Sequence, residues 1–173
     1  MGRRLALCVG NPDRGDDAVG RRVAALLEES AIAGFEVVRC CGEATAVLDA
    51  LEGARAAFIV DAALSGAPPG TVRRFDLRAE RPPLAKERGW SSHGFGLAEA
   101  IDLSRALGGL PPVCVLFTIE AESFAPGAPL SAGALAGAAA AARSILAEAA
   151  RDLGPGAPRF STDGKSRRAC RKE

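Results

Sequence analysis

The chain has one histidine, and it lies in the stretch SSHGFGL as His93. Two other polar positions interrupt apolar surroundings: the pair Asp16 and Asp17 in GNPDRGDDAVG, and Asp61 near the end of AAFIVDA. A carboxylate closing a buried strand needs a cap, a basic group or a metal as its partner. Taken singly, each position has a structural explanation. Asp16 caps a helix, Asp61 bonds to the following turn, and His93 is a satisfied imidazole. Taken together, two carboxylates and an imidazole supply two hard oxygens and a borderline nitrogen, with coordination positions left open. That donor set suits Ni(II) or Zn(II), with weak selectivity between them. Such a metal would polarise a carbonyl or activate a bound water, and a neighbouring carboxylate, Asp16 or Asp17, could serve as general base.

These residues are useful together only if the elements carrying them converge. Residues 4–9 read as a strand ending at Gly10, and a helical pattern starts near Asp16 with Val19, Val23, Leu26 and Leu27 on one face. FEVVRC is a second strand, EATAVLDALEGA a helix ending near Gly53, and RAAFIVDA a third, more buried strand. Alternating strands and helices imply a parallel sheet with helices on both faces. AALSGAPPG is too short for a parallel crossover, so TVRRFDL is expected to run back antiparallel. Adjacent Arg73 and Arg74 put a charge on each face of that strand, which suits a sheet edge. A helix over 94–107, a strand over 113–119 and an Ala-rich helix over 131–152 complete the pattern. The expected fold is α/β with three α/β/α layers, around a mostly parallel five-stranded sheet with one antiparallel edge.

In such a sheet the C-terminal strand ends form the crevice where ligands bind. Asp16, Asp17 and Asp61 fall at that rim, and His93 reaches it if its helix packs back over the sheet. Glu120 ends the fifth strand, either as a solvated charge or as another rim carboxylate. Gly94 and Gly96 serve close backbone approach or the turn into the helix rather than chemistry.

Other chemistries fit less well. The glycines at 10, 15 and 20 match neither a dinucleotide fingerprint nor a Walker loop, and two carboxylates at a helix start would repel phosphate. Ser91 and Ser92 adjoin His93, but chain neighbours seldom aim side chains at one another, and no G-x-S-x-G elbow occurs.

Composition bounds the rest. Hydrophobic residues at 48% and charged residues at 25% are those of a globular chain. The net charge of +1 hides a basic tail: residues 154–173 carry +4, which leaves −3 on the first 153. A mildly acidic body makes a poor nucleic-acid binder. Residues 1–153 are read as one domain and 154–173 as a disordered tail. Five cysteines form no C-x-x-C pair, and their odd number fits a reducing compartment better than a disulfide framework. No signal peptide and no membrane span of about 20 apolar residues is legible. The expectation is a cytoplasmic protein with no membrane or nucleic-acid partner, and nothing in the pattern demands more than a monomer.

GNPDRGDDAVG, IVDA, SSHGFGLAEAIDLSRALG and FTIEAESFAPGAPLS, in that order over residues 4 to 150, resemble the hydrogenase maturation endopeptidases. These trim the C-terminus of the large subunit of nickel-iron hydrogenases. The resemblance implies an α/β/α fold and a metal site formed by Asp17, Asp61 and His93, with Asp16 the second choice for the first ligand. Many members have Glu where this chain has Asp17, one methylene longer. The resemblance further implies that the partner is the large-subunit precursor. Its nickel, already held by cysteine thiolates, is read by the protease, so the isolated protein is expected to be empty of it. An alternative from another class is an accessory module that binds nickel and the hydrogenase subunit without cutting it. A third account is an unrelated binding domain whose acidic turn is only a helix cap.

Overall fold

The computed structural model describes residues 2–30, 32, 34–82 and 94–152. In chain order they form β1 (Arg3–Val9), a 3-10 turn (Gly15–Ala18), α1 (Val19–Glu29), β2 (Phe35–Cys40), α2 (Ala44–Leu51) and β3 (Ala54–Ala63). Then follow β4 (Val72–Asp76), α3 (Gly94–Ala106), β5 (Val113–Glu120) and α4 (Ala132–Asp152). The strands make one sheet in the order β2-β1-β3-β5-β4. The β1–β2, β1–β3 and β3–β5 pairs are parallel, and β4 runs antiparallel to β5 with Phe75 opposite Leu116. The expected reversed edge strand is thus present, because the short connection after Ala63 allows no crossover.

Strand alternation splits the core in two. Ala6, Cys8, Phe58, Val60, Val115 and Phe117 face one side, where α1 and α4 cover them with Val19, Val23, Ala138 and Ile145. Leu5, Leu7, Ile59 and Leu116 face the other, covered by Val47 and Leu51 of α2 and Leu97 and Ile101 of α3. These are the three expected layers. The alanines of α4 that lie against the sheet, at 134, 138, 141 and 142, keep its axis close to α1 and β5.

Arginines fasten the layers. Arg3 donates to the Ala50 carbonyl near the end of α2, and Arg4 Nη1 donates to the Ala149 carbonyl near the end of α4 at 3.3 Å. Cationic donors at helix C-termini satisfy orphan carbonyls and complement the dipole. On β4, Arg74 forms a two-pronged pair with Glu148 of α4 at 2.7 and 2.9 Å. Its neighbour Arg73 lies level with Thr118 on the opposite face, that of Phe75 and Leu116.

Cys8 and Cys114 are buried free thiols. Burial pushes each thiol up to about 12 from the ordinary 9.0, against a small opposing pull from Arg39 on Cys8. Both should therefore resist alkylation in the native protein at pH 8, whereas half-buried Cys41 should react. The sign for stability follows from the unfolded chain ionising first. The contribution is whole below about pH 9 and is lost as pH rises toward about 12, by up to about 1.4 kcal/mol per pH unit for each thiol. Urea unfolding at a series of alkaline pH values measures that slope, and a flat profile would contradict it.

Candidate functional site at the sheet rim

From β1 the sheet extends to β2 on one side and to β3 on the other. The crevice above the β1 and β3 ends is therefore a topological switch point, where open α/β sheets take their ligands. Asp16 and Asp17 follow β1, and the 3-10 turn carrying them packs against β3. Asp61 lies near the end of β3. All three carboxylates are buried.

The alternation of β3 gives Asp61 its face. Ala57 and Ile59 belong to the α2 and α3 side, and Asp61 continues that series. Its Oδ1 accepts from the amide of Ala62 at 2.9 Å, and it lies level with Thr118 of β5. The third expected donor, His93, lies outside the described residues, as does the tail from residue 153. α3, which His93 immediately precedes, begins at the same rim. Gly96 presses against the 42–44 segment just beyond β2, so closely that a β-carbon there would overlap the Gly42 carbonyl oxygen. Among the described residues no three His, Cys, Asp or Glu side chains gather as a metal site on their own.

Helical structure begins near Asp16 as expected, as a 3-10 turn running into α1 at Val19, but Asp16 does not cap it. The Asp16 carboxylate instead reaches across the rim to the segment after β5. Its Oδ1 accepts from the Ser131 amide at 2.6 Å, and its Oδ2 accepts from the Glu122 amide and the Ser131 hydroxyl, both at 2.8 Å. Ser131 Oγ in turn accepts from the Ala134 amide at 3.0 Å, so Ser131 caps α4. The two loops are stitched further by the Asp16 amide to the Ser123 carbonyl at 3.0 Å and the Gly127 amide to the Asp13 carbonyl at 2.9 Å. Gly15, at φ 55°, takes a left-handed turn where a side chain would meet the Ser123 carbonyl.

Glu120 is buried and is not a solvated strand-end charge. Its Oε1 accepts from the amides of Ser65, Gly66 and Ala67 at 2.6, 2.8 and 3.2 Å, and its Oε2 accepts from the Ser65 hydroxyl at 2.7 Å. One carboxylate thus closes the turn that leaves β3 just beyond Asp61. Glu120→Gln removes the negative charge that strengthens all four bonds and forces the Ser65 hydroxyl to turn from donor to acceptor. It should cost about 2 kcal/mol and lower the melting temperature by roughly 4–8 °C. An unchanged thermal midpoint would show that the turn holds without it.

Charge is therefore sorted along the strands. Among the described residues, the buried acids Asp16, Asp17, Asp61 and Glu120 all stand at the C-terminal rim. The buried base, Arg4, stands near the opposite end of β1. Carboxylates held in a low-dielectric crevice focus a negative potential that draws in a cation. Sequence reasoning found the acids but not the backbone donors that hold Asp16 and Glu120. Ser131 reads only as the start of an Ala-rich helix, and the acid it bonds to lies 115 residues upstream.

The chain is similar to known proteins in sequence and fold. The family described as HycI, hydrogenase maturation protease, matches residues 22–148. No curated protein sequence matches. Among solved structures, the hydrogenase maturating endopeptidase HybD from E. coli is 27% identical, with a TM-score of 0.74, over 88% of this chain and 94% of its own. An endopeptidase from Escherichia coli, solved in solution, is 26% identical with a TM-score of 0.76, over 87% of this chain and 94% of its own. The NiFe hydrogenase maturation protease HybD from Thermococcus kodakarensis is 26% identical with a TM-score of 0.66, over 88% of this chain and 99% of its own.

Proposed function

Because this chain belongs to the hydrogenase maturation protease family, and is on that ground an endopeptidase of hydrogenase maturation, we propose that it removes the C-terminal peptide from the nickel-loaded precursor of a nickel-iron hydrogenase large subunit. The nickel arrives as part of the substrate, and Asp17, Asp61 and His93 read it. The observation that supports this reading is the collection of buried carboxylates at one switch-point rim, opposite the buried base. Two carboxylate oxygens and an imidazole fit a divalent cation of borderline softness.

Cleavage needs a water to attack the scissile carbonyl, a group to take its proton, and return of a proton to the departing amine. Asp16 or Asp17 is the candidate for that proton transfer. The polarisation of the carbonyl comes from the positive charge brought by the substrate. The protein acts in the cytoplasm as a monomer. Free thiols at Cys8, Cys41 and Cys114 fit a reducing compartment, and no described helix is long and apolar enough to cross a membrane.

Following the C-terminal mass of a nickel-loaded precursor during incubation tests the reading. Shortening by a discrete peptide is expected for the wild type, with loss of that product for His93→Ala. Nickel-dependent binding without shortening would replace the peptidase by a non-cleaving accessory module. Equal cleavage by His93→Ala would remove nickel reading as stated.

A further inference from the structure

We propose that the two adjacent acids of the first turn divide their work. Asp16 is a positioning residue that clasps the β5–α4 segment and thereby fixes the turn carrying Asp17, the member of the pair assigned to substrate. The inference rests on the function proposed above and adds a role for Asp16, Ser131 and the Glu122 amide.

The geometry points the same way at each bond. Asp16 accepts from Ser131 N, Ser131 Oγ and Glu122 N, all within 2.8 Å, and its own amide donates to Ser123. Three of the roughly four lone-pair sites of this carboxylate are already taken by protein donors, which leaves little room for a water to hand it a proton. The same bonds suit a clasp. They join residue 16 to residues on both flanks of the 122–131 segment, and through the Ser131 cap they tie the turn to the first turn of α4. Asp17 is the next residue along a turn pinned at Gly15 and Asp16, and the turn packs against the strand that carries Asp61. The spacing of Asp17 from Asp61 is thus set by a loop 115 residues away in sequence.

The test uses the full chain and four variants, Asp16→Asn, Ser131→Ala, Ser131→Thr and the double variant Asp16→Asn/Ser131→Ala. Cleavage of the nickel-loaded precursor is measured well below each thermal midpoint. Asp16→Asn and Ser131→Ala should each lower kcat/KM by roughly tenfold. The double variant should be no slower than the worse single one, because both changes open one clasp. Ser131→Thr, which keeps the hydroxyl, should restore near-wild-type cleavage. Amide exchange, which needs no precursor, should quicken in Asp16→Asn at residues 15–18 and at 122–131. Direct chemistry by Asp16 predicts a far larger loss for Asp16→Asn, a wild-type rate for Ser131→Ala and multiplicative effects, and that pattern would overturn the proposal. So would unchanged exchange in both segments, whether or not the wild type cuts the precursor. Faster exchange together with a wild type that cuts nothing would instead leave the clasp standing and reject the cleavage function.

Discussion

Asp61→Asn is expected to slow cleavage of the nickel-loaded precursor on the order of 100- to 1,000-fold, the usual cost of removing one preorganised electrostatic group from a site. The substitution is nearly isosteric. Its amide oxygen keeps the bond from the Ala62 amide, and the strand pairing with Thr118 is made by backbone alone. The negative charge at the switch point falls by one, and the thermal midpoint is measured beside the rate. Asp61→Ala should be at least as slow. Should Asp61→Asn cut at the wild-type rate, the carboxylate is structural and the cation-reading site must be sought elsewhere. Should the protein lose its fold with its activity, the experiment passes to Asp61→Glu, which keeps the charge and shifts its position. Restored folding without restored cleavage would then locate the requirement in geometry.

The second large effect is expected from Gly96→Ala. Within a helix this exchange ordinarily stabilises by about 1 kcal/mol. Here the added carbon would overlap the Gly42 carbonyl oxygen, which is backbone and cannot swing away. The sign should therefore reverse to a loss of roughly 1–3 kcal/mol. The functional loss should be larger than that stability change implies. The first turn of α3 must back away from the rim, and misplacement by about 1 Å costs a reaction about 100-fold. A stabilised and fully active Gly96→Ala would show that the contact between α3 and the 42–44 segment does not govern the site.

Much of the fold was legible because the strands are short, apolar and punctuated. β3 announces itself as an unbroken buried run closed by an acid, and the adjacent Arg73 and Arg74 foretell an edge strand with a cation on each face. The order of strands was not legible from local pattern, since it depends on how β3 and β5 pair across the sheet. The partners of Asp16 were not legible for the same reason. Asp16 carries the local signature of a helix cap, but its hydrogen bonds go to Glu122 and Ser131, and no window of sequence joins those positions. Glu120 is the parallel case. A carboxylate ending a strand looks solvated until the 65–67 turn folds over it with three amides and a hydroxyl. What sequence does convey about the rim is a set of candidates. Asp16, Asp17 and Asp61 were singled out as polar residues in apolar settings, and the structure brings the elements carrying them to one rim. His93 was singled out as the chain's one imidazole, and it precedes a helix whose first turn lies at that rim.

The most direct test of the central claim is a paired incubation of the wild-type protein with the large-subunit precursor, nickel-loaded in one arm and nickel-free in the other, followed by C-terminal mass. A rim built from buried carboxylates to read a substrate-borne cation predicts shortening of the loaded precursor alone. Equal shortening of both forms would contradict it, because the acids would then serve cleavage without reading nickel.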